Sequence, residues 1–188
     1  MKKSIIVAGV GGQGVITAAN IIAKAALEEG YNVVTSELHG MAQRGGNVEC
    51  NVRIGDVLSP IEASGMADAI LSFEPLEALR NLNKVKENGI VLTDINPIFP
   101  LLGKYPSLDE IFNKISESCR LIKINADEIA TKAGSILTKN VVMIGCLHSL
   151  KILPIKEESY IEAIKGSIKK KYVEMNIRAF KMGKEEIK

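Results

Sequence analysis

A short apolar run that breaks into a glycine-rich turn is the feature that most limits how this 188-residue chain folds. The run covers residues 5–8, and the glycines that follow it are Gly9, Gly11, Gly12 and Gly14. Consecutive apolar residues ended by glycine are typical of a parallel strand buried on both faces. Residues 13–30 then show apolar side chains at helical spacing, with glycine at the end. The sequence therefore predicts a βαβ unit over the first 36 residues, with a right-handed crossover.

A second glycine-rich stretch follows at residues 39–46, which read His-Gly-Met-Ala-Gln-Arg-Gly-Gly. The first loop alone is a weak indication of a nucleotide site, because many tight strand-to-helix turns contain glycine. Two glycine-rich loops this close together in sequence favour one composite site. The meaning of the first loop therefore depends on the second.

Glu37 lies some 20 residues past the first glycines, where a dinucleotide-binding fold places the acidic ligand of the ribose. One hypothesis is therefore a self-sufficient NAD(P)-dependent oxidoreductase that uses Gly9, Gly11, Gly14 and Glu37. The next segment argues against it, because residues 47–55 alternate apolar and polar side chains. This pattern predicts a strand with one solvated face, where a parallel nucleotide-binding fold more often has a helix.

The remaining chain alternates short apolar runs with helical patterns. Strands are predicted at residues 67–73, 90–93 and 120–124, and helices at residues 74–83, 108–117, 126–133, 141–150 and from 157 onward. Prolines crowd residues 96–106, which predicts a surface connection. We expect one domain over residues 1–188 with a Rossmann-like α/β fold: a mainly parallel sheet, helices on both faces, a mixed edge at the strand after the second loop, and a helical C-terminal part.

Composition excludes several classes of function. A formal net charge of +2 provides no electrostatic case for binding nucleic acid or an anionic membrane. No apolar segment reaches the roughly 18–20 residues that span a bilayer. Cys50, Cys119 and Cys146 are too scattered for a disulfide framework or an iron–sulfur ligand set, so we expect a reduced, cytoplasmic protein. His148 and Cys146 lie on an apolar helix, where buried structural roles are favoured.

The two loops and the C-terminal segment together resemble one family. Residues 9–14, Glu37, residues 39–46 and residues 174–183 are similar to the gamma-type subunit or domain of 2-oxoacid:ferredoxin oxidoreductases, and the resemblance covers almost the whole chain. Within that family, residues 153–154 and 176–180 are most similar to the members that oxidise indolepyruvate. The resemblance implies oxidative decarboxylation of a 2-oxoacid, with aryl pyruvates favoured, electron transfer to ferredoxin, and delivery of the acyl group to coenzyme A.

The resemblance also implies a division of labour between two chains. This sequence has no cysteine clusters and no match to a thiamine diphosphate metal motif, so a larger partner subunit is expected to hold thiamine diphosphate, Mg²⁺ and the 4Fe-4S clusters. Ferredoxin would be reached through that complex. The isolated chain is expected to be inactive and to cover an exposed apolar patch by forming a homodimer.

Coenzyme A or the 2-oxoacid is expected to meet the glycine loops. Backbone N–H groups at a helix start can hold a phosphate or carboxylate, Arg44 can pair with an anion, and His39 can exchange a proton near neutral pH. The candidate ligand contacts are Gly9, Gly11, Gly12, Gln13, Gly14, Glu37, Gln43, Arg44, Gly45 and Gly46, and the candidate catalytic residues are His39 and Arg44. Two readings stay open beside this one. The second loop could shape a partner's pocket without touching substrate, and the chain could be a non-catalytic assembly module.

Overall fold

The computed structural model describes residues 1–40, 45–100 and 103–187, and these residues form one six-stranded sheet with α-helices around it. The strands are β1 (Lys2–Val10), β2 (Val33–His39), β3 (Asn47–Gly55), β4 (Ala67–Ser72), β5 (Val85–Asp94) and β6 (Arg120–Ile124). The helices are α1 (Val15–Glu28), α2 (Pro75–Arg80), α3 (Leu108–Ser116), α4 (Ala126–Ala133), α5 (Lys139–Ser149), α6 (Glu157–Ser167) and α7 (Val173–Glu186). The strand order across the sheet is β2-β3-β1-β4-β5-β6.

Strands β1, β4, β5 and β6 are parallel neighbours. Residues 5–8 of β1 are fully buried, as the continuous apolar run predicted. Parallel neighbours need long connections, and here α2 lies between β4 and β5 and α3 between β5 and β6. The predicted α/β fold with a mainly parallel sheet and a helical C-terminal part is confirmed.

Strand β3 is antiparallel to both of its neighbours, β1 and β2. The connection between β2 and β3 is too short for a parallel crossover, so β3 turns back beside β2 and takes the position next to β1. Consequently β2 runs in the same direction as β1 but does not pair with it, which the predicted βαβ unit did not anticipate. The mixed part of the sheet lies at the predicted end, although the outermost strand is β2.

The expectation that β3 has one solvated face is wrong. Glu49 and Asn51 are only 8% and 1% exposed. The Glu62 N–H donates to Asn51 Oδ1 at 3.4 Å, and Lys84 forms an ion pair with Glu49. Polar side chains that are paired in this way can be buried, so the alternation of apolar and polar residues in β3 does not mean that its polar face is exposed to solvent.

Helices cover both faces of the sheet, as predicted. Helices α1, α4, α5, α6 and α7 contribute to the larger apolar core on one face, and α2 and α3 to a smaller core on the other. Alternate residues of β1 divide between the two, since Ile5 and Val7 join the first core and Ile6 joins the second.

Helices α5 and α7 cross at very close range. A Cβ added to Gly145 would lie 2.1 Å from the carbonyl oxygen of Phe180, and one added to Gly183 would lie 2.0 Å from that of Val142. Real Cβ atoms do not approach a backbone oxygen so closely. The two glycines therefore permit this helix crossing.

The buried roles predicted for Cys146 and His148 are confirmed, since they are 0% and 6% exposed. The His148 ring lies 5.3 Å from that of Tyr160 and 5.7 Å from that of Phe180, centroid to centroid. Burial, the largest influence, lowers the pKa of His148. Burial also raises the pKa of Cys50 and Cys146 to about 12, so neither thiol is an activated nucleophile.

Some boundaries differ from the sequence-based expectation. Strand β5 begins at Val85 and passes through Asn88, whose φ is 58°. The helix expected from residue 157 onward is two helices, because Ile168 has extended backbone and ends α6. None of the helices in the described ranges is both long and apolar enough to cross a bilayer.

Candidate functional site

The first glycine loop connects β1 to α1 at the carboxyl end of the parallel strands. Gly12 and Gly14 have φ angles of 101° and 80°, in the left-handed region that favours glycine. A Cβ at Gly14 would also lie 2.6 Å from Asn140 Nδ2, so a side chain there would have to displace Asn140. At Gly12 no atom of the described residues lies within 4 Å of that position, so Gly12 faces open space.

The side chain of Gln13 folds back against the ends of two strands. Its Oε1 accepts from the Val10 N–H at 2.7 Å, and its Nε2 donates to the Phe73 carbonyl at 2.8 Å. A Cβ at Gly9 would lie 2.7 Å from Gln13 Oε1. The structure thus places Gly9 and Gln13, two of the candidate ligand contacts, against each other inside the loop.

The second loop contacts the first. The Gly11 N–H donates to the Gly46 carbonyl at 2.9 Å, and the Gly40 N–H donates to the Asn47 carbonyl at 2.9 Å and closes the base of the second loop. The two loops singled out by the sequence therefore lie side by side. Because the Gly11 N–H is used in this contact, it is not available to an anion. Gln43 and Arg44, the remaining candidates in this loop, lie outside the described residues.

A cleft of about 390 Å³ opens between the first loop and the starts of α5 and α7, and we call it the α5 cleft. Gly12, Gly14, Lys139 and Asn140 are among the residues that line it. Helices α1 and α5 both begin at this cleft, and helix N-termini carry partial positive charge. Within the described residues the N–H groups of Gly12 and Gly14 have no hydrogen-bond acceptor. The cleft therefore offers a favourable environment for an anionic group.

Lys139 lies in an ionic network at this cleft. Its Nζ pairs with Asp94 and lies 2.8 Å from Asp127 Oδ1, and the fully buried Asp94 also accepts from the Ala126 N–H at 3.1 Å. Burial alone would lower the pKa of Lys139, but its hydrogen bonds to Asp127 and Asp94 outweigh burial and raise that pKa. Lys139 is therefore charged at neutral pH. The network joins the end of β5 to the starts of α4 and α5.

A second cleft, of about 360 Å³, lies on the other side of the first loop and includes Gly11, Gly12 and His39 in its lining. The His39 side chain is half exposed, and its Nε2 lies 3.4 Å from Glu37 Oε2. Both residues are on the edge strand β2, and β3 separates β2 from β1. Glu37 is thus farther from the first loop, by one strand spacing of about 4.8 Å, than it would be if β1 and β2 paired. This geometry disfavours the NAD(P) hypothesis.

A third cleft, of about 380 Å³, is lined in part by Gly45, Glu74, Phe99 and Tyr105. Glu74 is 1% exposed, and its carboxylate caps α2 by accepting from the Glu77 N–H at 2.9 Å. The same carboxylate accepts the hydroxyl of Tyr105. Glu74 therefore joins the proline-rich connection to α2, beside the second glycine loop.

Sequence reasoning missed several residues of this region, namely Glu74, Asp94, Tyr105, Lys139 and Asn140. A signal existed for two of them, since Glu74 and Asp94 stand at or just after the carboxyl ends of buried parallel strands, where ligands bind in open α/β sheets. Lys139 and Asn140 reach the first loop only through the packing of α5. Among the described residues, no group of three or more His, Cys, Asp or Glu side chains is arranged to hold a metal ion.

Comparison with known proteins places this geometry in context. A family profile described as "Pyruvate ferredoxin/flavodoxin oxidoreductase" matches residues 4–186. The chain is 47% identical to indolepyruvate oxidoreductase subunit IorB of Archaeoglobus fulgidus, with 97% of this chain and 94% of the relative covered. It is 44% identical to the subunit of the same name in Thermococcus kodakarensis, with 97% and 95% covered.

A solved structure agrees with these sequence relatives. The crystal structure of the gamma subunit of a keto/oxoacid ferredoxin oxidoreductase from Geobacter sulfurreducens superimposes with a TM-score of 0.76 at 26% identity, and covers 98% of this chain and 97% of that one. The resemblance predicted from the glycine loops and the C-terminal segment is confirmed, and it extends over nearly the whole chain.

Proposed function

The chain belongs to the pyruvate ferredoxin/flavodoxin oxidoreductase family, and we propose that it is the smaller, cofactor-poor subunit of a cytoplasmic enzyme that oxidises indolepyruvate or a related aryl pyruvate. The observation that carries this proposal is the 47% identity to an indolepyruvate oxidoreductase subunit over 97% of the chain. The products would be carbon dioxide, reduced ferredoxin and the acyl-coenzyme A thioester.

The larger partner subunit would hold thiamine diphosphate, Mg²⁺ and the 4Fe-4S clusters, which supply the carbon–carbon cleavage and electron transfer. The cysteines of this chain agree with the placement of the iron–sulfur clusters in the partner subunit. Cys50 and Cys146 are buried, and burial raises the pKa of Cys119 as well, so none is suited to ligate iron at the surface. The role left to this chain is to complete a binding site.

We propose that coenzyme A binds at the α5 cleft. Its phosphate groups would meet the N–H groups of Gly12 and Gly14 at the start of α1. Lys139 also lines this cleft, but its ammonium group is already paired with Asp94 and Asp127, so the backbone N–H groups are the main attraction for phosphate. Helix N-termini stabilise phosphate because their free N–H groups and the helix dipole act together. A volume of about 390 Å³ is within the range of small-molecule sites.

The test is reconstitution with the proposed larger subunit from the same organism. The purified complex should reduce ferredoxin with indolepyruvate and coenzyme A faster than with pyruvate or 2-oxoglutarate, and the isolated chain should show no turnover. A pull-down of the native protein that recovers no larger subunit with iron–sulfur clusters would contradict the subunit assignment. A preference for pyruvate would contradict the substrate assignment alone.

The two alternative functions predict different experimental results. In the assembly-module alternative, Arg44→Ala lowers complex formation and turnover equally, whereas a direct role in the site predicts normal assembly with reduced turnover. In the NAD(P) alternative, the isolated chain binds NADH saturably and Glu37→Ala abolishes binding. We expect no NADH binding, because β3 separates Glu37 from the first glycine loop.

A further inference from the structure

We propose that Gln13, although it is among the residues that line the α5 cleft, is a positioning residue that fixes the first glycine loop so that the second loop can join it. Both ends of its side-chain amide are bonded to the protein and not to the ligand. This inference deepens the proposed function and rests on it for the identity of the ligand. The hydrogen bonds of Gln13 are independent of that identity.

Gln13 holds the backbone of Val10 through two separate hydrogen bonds. The backbone N–H of Gln13 donates to the Val10 carbonyl at 3.1 Å, and its side-chain Oε1 accepts from the Val10 N–H at 2.7 Å. The other end of the side-chain amide donates to the Phe73 carbonyl at 2.8 Å, just past the end of β4. One residue therefore ties the end of β1 to its own turn and to the neighbouring strand.

The side chain must both accept and donate to do this. A glutamate of the same length accepts from Val10, but when ionised it directs an oxygen at the Phe73 carbonyl and has no proton to donate. A methionine of similar shape provides neither bond. A glutamine is thus specified by its hydrogen bonds and not by its size alone.

Gly9 packs against the folded-back side chain of Gln13. A Cβ at Gly9 would lie 2.7 Å from Gln13 Oε1, 2.9 Å from Val15 Cγ2 and 3.3 Å from Phe73 Cβ. The missing side chain at Gly9 therefore makes room for the folded-back glutamine. In this reading, Gly9 and Gln13 form one packing unit, although a glycine-rich motif would suggest that both face a ligand.

The hydrogen bonds of Gln13 influence the second loop through Gly11. Gly11 follows Val10 directly, and its N–H donates to the Gly46 carbonyl at 2.9 Å. Because Gln13 holds both polar backbone groups of Val10, it limits the directions in which the next N–H can point. Releasing Val10 should weaken the bond between Gly11 and Gly46 and separate the loops.

Amide hydrogen exchange of the isolated full chain, measured by NMR, tests this step without any ligand. Gln13→Met loses both partly buried side-chain bonds and should speed exchange of the Gly11 amide by about tenfold, whereas Gln13→Glu loses only the bond to Phe73 and should speed it by about threefold. The amides of Ile6 and Val7 should keep wild-type rates. Asn20→Asp is the matched control, because it adds a carboxylate to the exposed side of α1, the helix that follows the first loop.

Lowering the pH distinguishes a positioning role of residue 13 from a general destabilisation of the fold. A protonated glutamate can donate to the Phe73 carbonyl, so the protection of Gly11 in Gln13→Glu, relative to wild type at the same pH, should return as the carboxyl group protonates. Gln13→Met should show no such recovery. Wild-type exchange at Gly11 in both variants would overturn the inference, and so would a loss of protection in Gln13→Glu that acid does not restore.

The reconstituted complex then tests the link to coenzyme A. Gln13→Met should raise the KM for coenzyme A about tenfold and leave the KM for indolepyruvate within twofold of wild type. Faster exchange at Gly11 with an unchanged KM for coenzyme A would support the positioning role and refute the proposed coenzyme A site. Unchanged exchange with a raised KM would instead mean that Gln13 contacts the ligand, and would refute the positioning role.

Discussion

Replacing Gly183 with alanine should strongly destabilise the protein, because the new methyl group would meet the backbone of another helix. The added Cβ would lie 2.0 Å from the Val142 carbonyl oxygen and 2.8 Å from its carbonyl carbon. Contacts below 3.0 Å require a shift, and here the obstacle is backbone and not the end of a flexible side chain. Helices α5 and α7 would therefore have to separate by about 1 Å, in an interior packed as densely as an organic crystal.

The magnitude follows from the cost of overpacking, which is about 1–3 kcal/mol and occasionally more. The upper part of that range applies, because Gly145 is packed just as closely in the same interface. A Cβ added to Gly145 would lie 2.1 Å from the Phe180 carbonyl oxygen, so the helices cannot slide past each other to make room at Gly183. For a chain of this length, 1 kcal/mol corresponds to about 2–4 °C in melting temperature. We expect Gly183→Ala to lower the free energy of unfolding by about 3 kcal/mol and the melting temperature by about 6–12 °C.

Gly166→Ala is the matched control, since Gly166 lies in α6 and no neighbouring atom in the described part of the chain comes within 4 Å of its Cβ position. In that open position alanine should stabilise the helix by up to about 1 kcal/mol. Urea denaturation and thermal unfolding, both followed by circular dichroism, would measure the two variants. A Gly183→Ala protein that melts within 2 °C of wild type, or shifts in the same direction as the control, would refute the close-packing argument.

Three further substitutions probe the site and the charges. Thr17 lines the α5 cleft at the first turn of α1, so Thr17→Glu would place a negative charge beside the proposed phosphate site, where the helix dipole stabilises it. In the reconstituted complex this substitution should raise the KM for coenzyme A about tenfold without loss of stability. The control Asn20→Glu should leave that KM unchanged. Lys139→Met leaves the buried Asp94 without its counter-ion and should cost about 3–5 kcal/mol in urea denaturation. Burial alone would raise the pKa of Asp68, but hydrogen bonds from Lys86 and the Ser4 N–H lower it below its ordinary value of 3.8. The stabilisation from Asp68 is therefore fully present well above pH 3.8 and is lost as the pH falls through the lowered pKa. Asp68→Asn should therefore be less stable than wild type at pH 7, with a difference that shrinks toward pH 3.

Local patterns predicted much of this fold because local physics determines those elements. The bounds of β6 and α4 agree with the prediction, and α4 begins where the Asn125 side chain accepts from the Glu128 N–H at 3.4 Å. The strand, turn and helix at residues 2–28 followed from a buried apolar run and glycines that permit left-handed backbone. Such signals are contained within a few residues of sequence.

The position of β3 depended on contacts that no local pattern contains. Its alternation of apolar and polar residues predicts one exposed face, but Lys84 pairs with Glu49 and the Glu62 N–H donates to Asn51. The same limit applies to the candidate site. Lys139 is far from the glycine loops in sequence and reaches them only because α5 packs beside α1, while Asp94 meets Lys139 across the end of the sheet.

The glycines of the first loop show why a glycine-rich motif does not by itself specify a nucleotide site. Gly9 makes room for Gln13, Gly11 donates to the second loop, and Gly14 accommodates Asn140. Each of these requirements is internal to the fold and would exist without a ligand. Gly12 differs, because its Cβ position has no neighbour among the described residues and its left-handed φ excludes most side chains at a place that faces a cleft. The ligand-binding hypothesis therefore depends most on Gly12 and the free N–H groups around it, and substitution there tests that hypothesis more directly than substitution at the buried glycines.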